Sequence, residues 1–328
     1  MLGFRHRSRP GISTPESRQA ALAGPSTHEG DTLTLDLHGI ISTVVTPFDA
    51  DDQVDLDLLG PEIQYLLDSG VTAICACGST GEGHALSADE SAAICARVVK
   101  EVAGRVPVIG GVIQNSTAQA IRYGRALKEA GVDALQVTPV HYVFAPDADQ
   151  TVDYFRRIGS AVGLPIVVYN VVPWALVPVD VIERLGDVPE VIAVKQSGGD
   201  IHLLADLLHR VGDRFSILAA LDDLHYPAFA MGAHGALAAI PTVTPRLSVE
   251  LWEAVRRGDH REALRLHNVI LGVWRAIDGP NLPARLKAAL RLQGRDGGLP
   301  RHPFTPATDE ERAVIADALG KAGLLTAP

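Results

Sequence analysis

From about Leu37 onward, short apolar runs alternate with longer stretches in which apolar residues recur at three- and four-residue spacing. The short runs fall at 40–46, 73–77, 106–110, 134–138, 166–170, 191–195, 216–220 and 235–239. Their length and their Val/Ile content predict buried strands. The stretches 58–68, 91–102, 118–130 and 201–211 carry the helical period, and Gly70, Gly104 and Gly131 stand just past three of these stretches, as helix stops do. Eight buried strands separated by helices predict a parallel sheet. Eight units at this spacing suit a closed (β/α)8 TIM barrel better than the alternative, an open doubly wound sheet. After Arg257 strand signals cease, and 260–277, 283–292 and 309–322 predict a C-terminal helical appendage. The expected division is an arm over 1–34, a barrel over 35–258 and C-terminal helices over 259–328.

The arm has a different character. Arg5, Arg7, Arg9, Pro10, Pro15, Arg18 and Pro25 are mixed with Gly, Ser and Thr, without apolar periodicity. It lacks the continuous apolar centre of a secretory signal and is expected to be disordered. No run of 18 uninterrupted apolar residues predicts a membrane span. The 328 residues are 47% hydrophobic and 21% charged, which supplies a sizeable core. A net charge of −10 argues against a nucleic-acid partner. Cys75, Cys77 and Cys95 are odd in number and irregularly spaced, so they form no disulfide framework. Cys75 and Cys77, two apart, are expected to share a strand face as small buried hydrophobes, and no further Cys or His pair completes a metal pattern. Free thiols suit a reducing, cytoplasmic compartment.

In a (β/α)8 barrel, chemistry lies where strands end and βα loops begin. The sixth strand runs straight into Lys195. An ammonium is costly to bury there, and burial favours the nucleophilic neutral amine. Such an amine can condense with a ketone to a Schiff base, an electron sink for carbanion chemistry. The alternative is a lysine whose stem lies along the barrel while its ammonium reaches water. The second strand ends in Gly78-Ser79-Thr80-Gly81-Glu82, where glycines admit backbone N–H groups and two hydroxyls add donors for a carboxylate. An ordinary capped βα turn would look similar, but the run is neither a dinucleotide fingerprint nor a phosphate loop. The fifth strand ends in Tyr169-Asn170, and a phenol there can pass protons or simply pack.

Taken together, these three strand ends resemble the dihydrodipicolinate synthase and N-acetylneuraminate lyase family of class I pyruvate aldolases. The matching segments are Val45-Thr46-Pro47-Phe48, Gly78-Ser79-Thr80-Gly81-Glu82, Val137-Thr138-Pro139, Tyr169-Asn170-Val171, Val194-Lys195, Gly232-Ala233-His234-Gly235 and Asn281-Leu282-Pro283-Ala284, over roughly 36–325. The resemblance implies that Lys195 forms the Schiff base and Tyr169 relays protons. It implies that Ser79 and Thr80 hold the pyruvate carboxylate, with Ser79 in place of the usual threonine. No organic cofactor and no metal is expected, since the lysine is itself the electron sink. The implied partners are a small 2-oxo acid and other copies of the chain, as a tetramer or dimer, with neither nucleic acid nor membrane.

Two departures from the family pattern bear on the second substrate. Dihydrodipicolinate synthases place an arginine for the aldehyde's carboxylate a few residues after the tyrosine; here that position is Trp174, which cannot clamp a carboxylate. Between Pro165 and Lys195 the only other basic residue is Arg184, on a predicted helix. Lysine-biosynthetic members also carry two tyrosines after the Thr-Pro pair, and here the run is Val140-His141-Tyr142. His141 and Trp174 are therefore expected to touch the substrate, with Leu237 of the eighth strand, while Tyr142, His225 and Tyr226 are further expected wall residues. The implied activity is cleavage or formation of a 4-hydroxy-2-oxo acid. The alternatives are 4-hydroxy-tetrahydrodipicolinate synthesis, a Schiff-base sugar-acid dehydratase, or a barrel that only binds ligand.

Overall fold

The computed structural model describes residues 35–325 apart from Gly199, so the expected arm over 1–34 lies outside the described residues. The strands are β1 (Gly39–Thr43), β2 (Ala73–Ala76), β3 (Val108–Val112), β4 (Ala134–Val137), β5 (Ile166–Asn170), β6 (Val191–Gln196), β7 (Ser216–Ala219) and β8 (Gly235–Ala238). All pair in parallel with their sequence neighbours, and β8 closes on β1 through Gly39–Gly235 and Ile41–Leu237. The predicted third strand is displaced: Pro107 has no N–H to give to the ladder, so pairing starts at Val108 and runs on through Gly110 and Gly111.

Strand alternation sorts the core into two regions. Leu37, Ile41, Ala73, Cys75, Ile109, Ala134, Val167, Ala193, Leu218 and Leu237 fill the barrel interior. The alternate residues, such as Ile40, Ile74, Leu135, Val168, Val194 and Ile217, belong to the cluster between strands and helices. Burial on both faces explains why the strands read as continuous apolar runs.

The surrounding helices are α1 (Leu59–Asp68), α2 (Ala88–Val102), α3 (Thr117–Glu129), α4 (Ala148–Val162), α5 (Val179–Leu185), α6 (Ile201–Val211), α7 (His225–Ala230), α8 (Ile240–Val243) and α9 (Pro245–Arg256). Ser87 with Glu90 and Asp147 with Gln150 form reciprocal capping boxes at the starts of α2 and α4. Each such cap stabilises its helix by about 1 kcal/mol. Gly70, Gly104 and Gly131 take the positive φ of helix stops.

Three further helices, α10 (His260–Ile277), α11 (Leu282–Leu292) and α12 (Asp309–Lys321), pack on one another, on α9 and on α8. Two buried ion pairs tie this C-terminal group to the barrel. Lys287 Nζ lies 2.6 Å from Glu82 Oε1, and Arg295 Nε donates to Glu62 Oε2 at 2.9 Å. Burial pushes the Glu62 carboxyl up and the Lys287 ammonium down, while each partner's charge opposes the shift. Losing one member would leave the other charge uncompensated, at about 3–5 kcal/mol.

Candidate active site

On β6, Ala193 points into the barrel, and two residues on Lys195 does the same, one layer nearer the strands' C-terminal end. That end opens into a cavity of about 570 Å³ whose walls include Lys195, Tyr169, Ser79 and Thr80. Lys195 pairs in register with Tyr169 on β5. Its Nζ lies 4.0 Å from the centre of the tyrosine ring and has no hydrogen-bond partner among the described residues. Only 4% of Lys195 is exposed, and that part faces the cavity. The Tyr169 hydroxyl, from an equally buried residue, donates to Ser79 Oγ at 3.1 Å. The four residues singled out on strands two, five and six thus meet in one space.

The turn carrying Ser79 and Thr80 is over-determined by its surroundings. Cys77 and Glu82 both adopt left-handed backbone, φ +58° and +55°. Such conformations cost about 1–3 kcal/mol each in non-glycine residues and persist only where neighbours enforce them. Here Glu82 N–H donates to Ser79 O and Gly83 N–H to Gly78 O, while Thr46 Oγ1 donates to Gly81 O at 2.6 Å. The Glu82 side chain, 1% exposed, is fixed by Lys287 of α11 and accepts from Arg301 N–H at 3.0 Å. Gly83 and Gly111 let the Cys77 carbonyl through: a Cβ would sit 1.8 Å from that oxygen at Gly83 and 2.2 Å at Gly111.

The positive φ of Cys77 also corrects the expectation that Cys75 and Cys77 share a face. Cys75 lies in the barrel interior, whereas Cys77 turns outward, with its Sγ 3.9 Å from Cys95 Sγ. All three are free and buried. Burial pushes the Cys75 thiol up to about 12, against the pull of the nearby Lys195 charge, so it stays protonated and offers no rival nucleophile.

The far wall of the cavity comes from residues the sequence reading passed over. Leu221, Asp222 and Asp223 follow β7, and Trp274, Asp278 and Phe304 come from the C-terminal segment. Asp222 Oδ1 accepts the Ile240 N–H at 2.6 Å. Burial raises its carboxyl to about 6, opposed by the Ile240 and Ala239 N–H groups and by Lys195. Asp223 pairs with Arg275 at 2.8 Å. Asp222 and Asp223 lie two and three residues past the apolar run 216–220, and their carboxyls at a strand end are the signal that marks them in the sequence. Nothing local marks Trp274, Asp278 or Phe304, which only the folded chain brings over the barrel.

Other expected contacts fall elsewhere. Leu237 is fully buried among the interior residues, a layer beneath the cavity, whose wall on that side is Ala238 and Ala239. His141 and Trp174 do meet, but outside the cavity walls. Trp174 Nε1 donates to His141 O at 2.8 Å, and Asn115 Oδ1 accepts from the His141 and Tyr142 N–H groups, so the loops after β4 and β5 are tied to each other at the surface. Trp174 is 71% exposed and Tyr142 74%. His225 packs in α7 against Phe229, which meets Trp252 of α9 edge-on, and Tyr226 faces His260 and His267. Neither lines the cavity, because the first turn of α7 directs them to its helix neighbours. Arg184 is paired with exposed Asp149. Among the described residues, no three His, Cys, Asp or Glu side chains are grouped to hold a metal ion, and no helix is long and apolar enough to cross a membrane.

Residues 36–322 match the model of the dihydrodipicolinate synthetase family. The chain belongs to this family. It is 31% identical over 288 residues to the 4-hydroxy-tetrahydrodipicolinate synthase of Bacillus subtilis, covering 86% of this chain and 99% of that one. It is 33% identical over 305 residues to an uncharacterized DapA-like lyase of Pyrobaculum aerophilum, covering 89% and 100%. Among solved structures, dihydrodipicolinate synthase from Aquifex aeolicus superposes with a TM-score of 0.84 at 29% identity, over 89% of this chain and 100% of that one. YagE, an Escherichia coli prophage protein of the same family solved with pyruvate, superposes with a TM-score of 0.82 at 27% identity, over 88% and 99%. Family membership makes the protein an enzyme, a lyase of the class I aldolase type that works through a lysine Schiff base.

Proposed function

We propose that Lys195 is the Schiff-base lysine and that the enzyme cleaves, or forms, a 4-hydroxy-2-oxo acid with pyruvate and an aldehyde as the other side of the equation. The observation that carries this reading is Lys195 itself: buried, without a hydrogen-bond partner, and facing a cavity shared with the Tyr169 hydroxyl and with Ser79 and Thr80. Ser79 and Thr80 would receive the C1 carboxylate and bring C2 to the Lys195 amine. Nζ attacks C2, the carbinolamine loses its oxygen as water, and an iminium results. The C4 hydroxyl then gives up its proton, the C3–C4 bond breaks, and its electron pair moves into the iminium to leave an enamine and an aldehyde. Protonation at C3 and return of one water release pyruvate and the free amine. Tyr169, above Lys195 and bonded to Ser79, is placed to carry these protons.

Borohydride with pyruvate is expected to inactivate the enzyme and to add a reduced three-carbon adduct to Lys195, read by peptide mass mapping. An adduct on another lysine, or none in active enzyme, would falsify the assignment. A second reading, 4-hydroxy-tetrahydrodipicolinate synthesis, is favoured by relatives that carry that name. Among the described residues lining the cavity, however, Lys195 is the one lysine or arginine, and the wall facing it holds three aspartates. Little or no turnover of pyruvate with aspartate semialdehyde is therefore expected, and efficient condensation would establish the second reading instead. Release of pyruvate plus aldehyde, as opposed to a dehydrated oxo acid, separates the lyase from a dehydratase. We further place the enzyme as a homo-oligomer, a tetramer or dimer. Exposed Tyr142, Val143, Phe144 and Trp174 support this, and light scattering would measure it.

A further inference from the structure

We infer that the cavity binds a substrate tail carrying a positive charge, of the ammonium or guanidinium type, along the wall formed by the loop after β7 and the C-terminal segment. The inference rests on the Schiff-base reading, because buried, unpartnered Lys195 fixes where the 2-oxo group sits, in the same cavity as this wall. That wall offers two kinds of surface. The first is carboxylate: Asp222, Asp223 and Asp278 line it, and of these Asp223 already has a cation, Arg275. Asp222 accepts backbone N–H groups and feels the Lys195 charge, whereas the exposed Asp278 side chain has no partner among the described residues. The second is apolar or aromatic: Leu221, Ala239, Leu282, Pro283, Trp274 and Phe304.

This composition discriminates among tails. A carboxylate would face like charges with no lysine or arginine but Lys195 to receive it; His84, the other basic residue at the cavity, stands on the Ser79–Thr80 side. A polyhydroxylated tail needs donors as well as acceptors, and ionised carboxylates only accept. A neutral alkyl tail would desolvate the exposed, unpaired Asp278 carboxylate without compensation. An ammonium or guanidinium group satisfies both surfaces, since it donates to, or simply neutralises, the carboxylates and is attracted by aromatic faces.

The test is a comparison of four 2-oxo acids in the borohydride trap, each scored by the concentration giving half-maximal inactivation. The cationic probe is 5-(trimethylammonio)-2-oxopentanoate, and its neutral isostere is 6,6-dimethyl-2-oxoheptanoate. The anionic probe is 2-oxoadipate, and the polyhydroxylated one is 2-oxo-3-deoxygluconate. The cation is expected to half-saturate at about tenfold lower concentration than its isostere, the scale of one or two exposed charge contacts, with 2-oxoadipate weakest. Asp278→Asn and Asp222→Asn are each expected to shrink the ratio between cation and isostere severalfold. Asparagine keeps an acceptor for the Ile240 N–H, so the second variant retains that anchor. Equal trapping of the isostere, tightest trapping of 2-oxoadipate or of the sugar acid, or exclusion of all four while pyruvate still labels Lys195, overturns the inference and leaves the Schiff-base reading standing. Failure of pyruvate itself to label Lys195 brings down both.

Discussion

The two halves of the cavity are built by different means. The half around Lys195 comes from strand ends: Tyr169 and Lys195 are adjacent in the β5–β6 register, and Ser79 and Thr80 follow β2 directly. A closed barrel leaves such residues almost no freedom, since alternation sets which way each points and pairing sets its height. The opposite half comes from a loop after β7 and from the segment between α10 and α11, with Phe304 further on. Its residues are positioned by long-range contacts, such as the Ile240 N–H to Asp222 and the Lys287–Glu82 pair that docks α11 on the barrel. The first half holds the groups to which the Schiff-base chemistry is assigned, and the second those to which recognition of the tail is assigned. Family membership therefore speaks strongly for the reaction type and weakly for the aldehyde.

Substitutions at the two halves should separate sharply. Lys195→Met deletes the amine proposed as the electron sink, so borohydride labelling should vanish and turnover fall by at least about 10⁴-fold. Residual labelling would mean that another amine serves. Tyr169→Phe keeps the ring over Lys195 but deletes the hydroxyl that bonds Ser79. A loss of about a hundred- to a thousandfold in kcat is expected, with a small change in KM for the 2-oxo acid. The opposite split would recast the tyrosine as a binding group. Thr80→Val retains shape and removes one donor, and half-saturation by pyruvate should rise about ten- to a hundredfold. Unchanged half-saturation would show that Thr80 does not face the carboxylate.

The effects expected away from the lysine are smaller. Folded Asp222 holds its proton up to about pH 6, against about 3.9 for a free aspartate. Between those values the folded chain binds more protons than the unfolded one, so stability falls as pH rises across this interval. Relative to Asp222→Asn, the wild-type Tm should drop by about 2–5 °C between pH 4 and pH 7. A difference that stays flat or rises with pH would show that the carboxyl is not held up by burial. Trp174→Arg changes an exposed side chain outside the cavity walls. Pyruvate labelling by this variant should stay within about twofold of wild type, as for surface changes generally. A large loss would show that the tied loops after β4 and β5 reach the reacting atoms.

Much of this molecule was legible in its amino-acid order. Apolar runs separated by helical periods specified eight strands, because a strand covered on both faces has to be apolar throughout and a helix covered on one face cannot be. A lysine, a tyrosine and a hydroxyl pair at strand ends could be placed at one site because the barrel brings all its strand ends to one face. Alternation by itself misled at one point. It put Cys77 on the face of Cys75, though the left-handed turn at Cys77 ends the alternation. Leu237, the contact expected on the eighth strand, points inward but lies a layer too deep. His141 and Trp174 were found as departures from a pattern, yet their side chains were settled by a loop-to-loop hydrogen bond that no local rule contains. The acidic and aromatic wall lay further still from any sequence signal. Asp278 and Phe304 are remote from the strands, and only the docking of the C-terminal helices, fixed by two buried ion pairs, carries them over the barrel. Local periodicity determines elements and the residues fixed to them; which distant surfaces close over those residues is decided by burial and charge pairing across the whole chain.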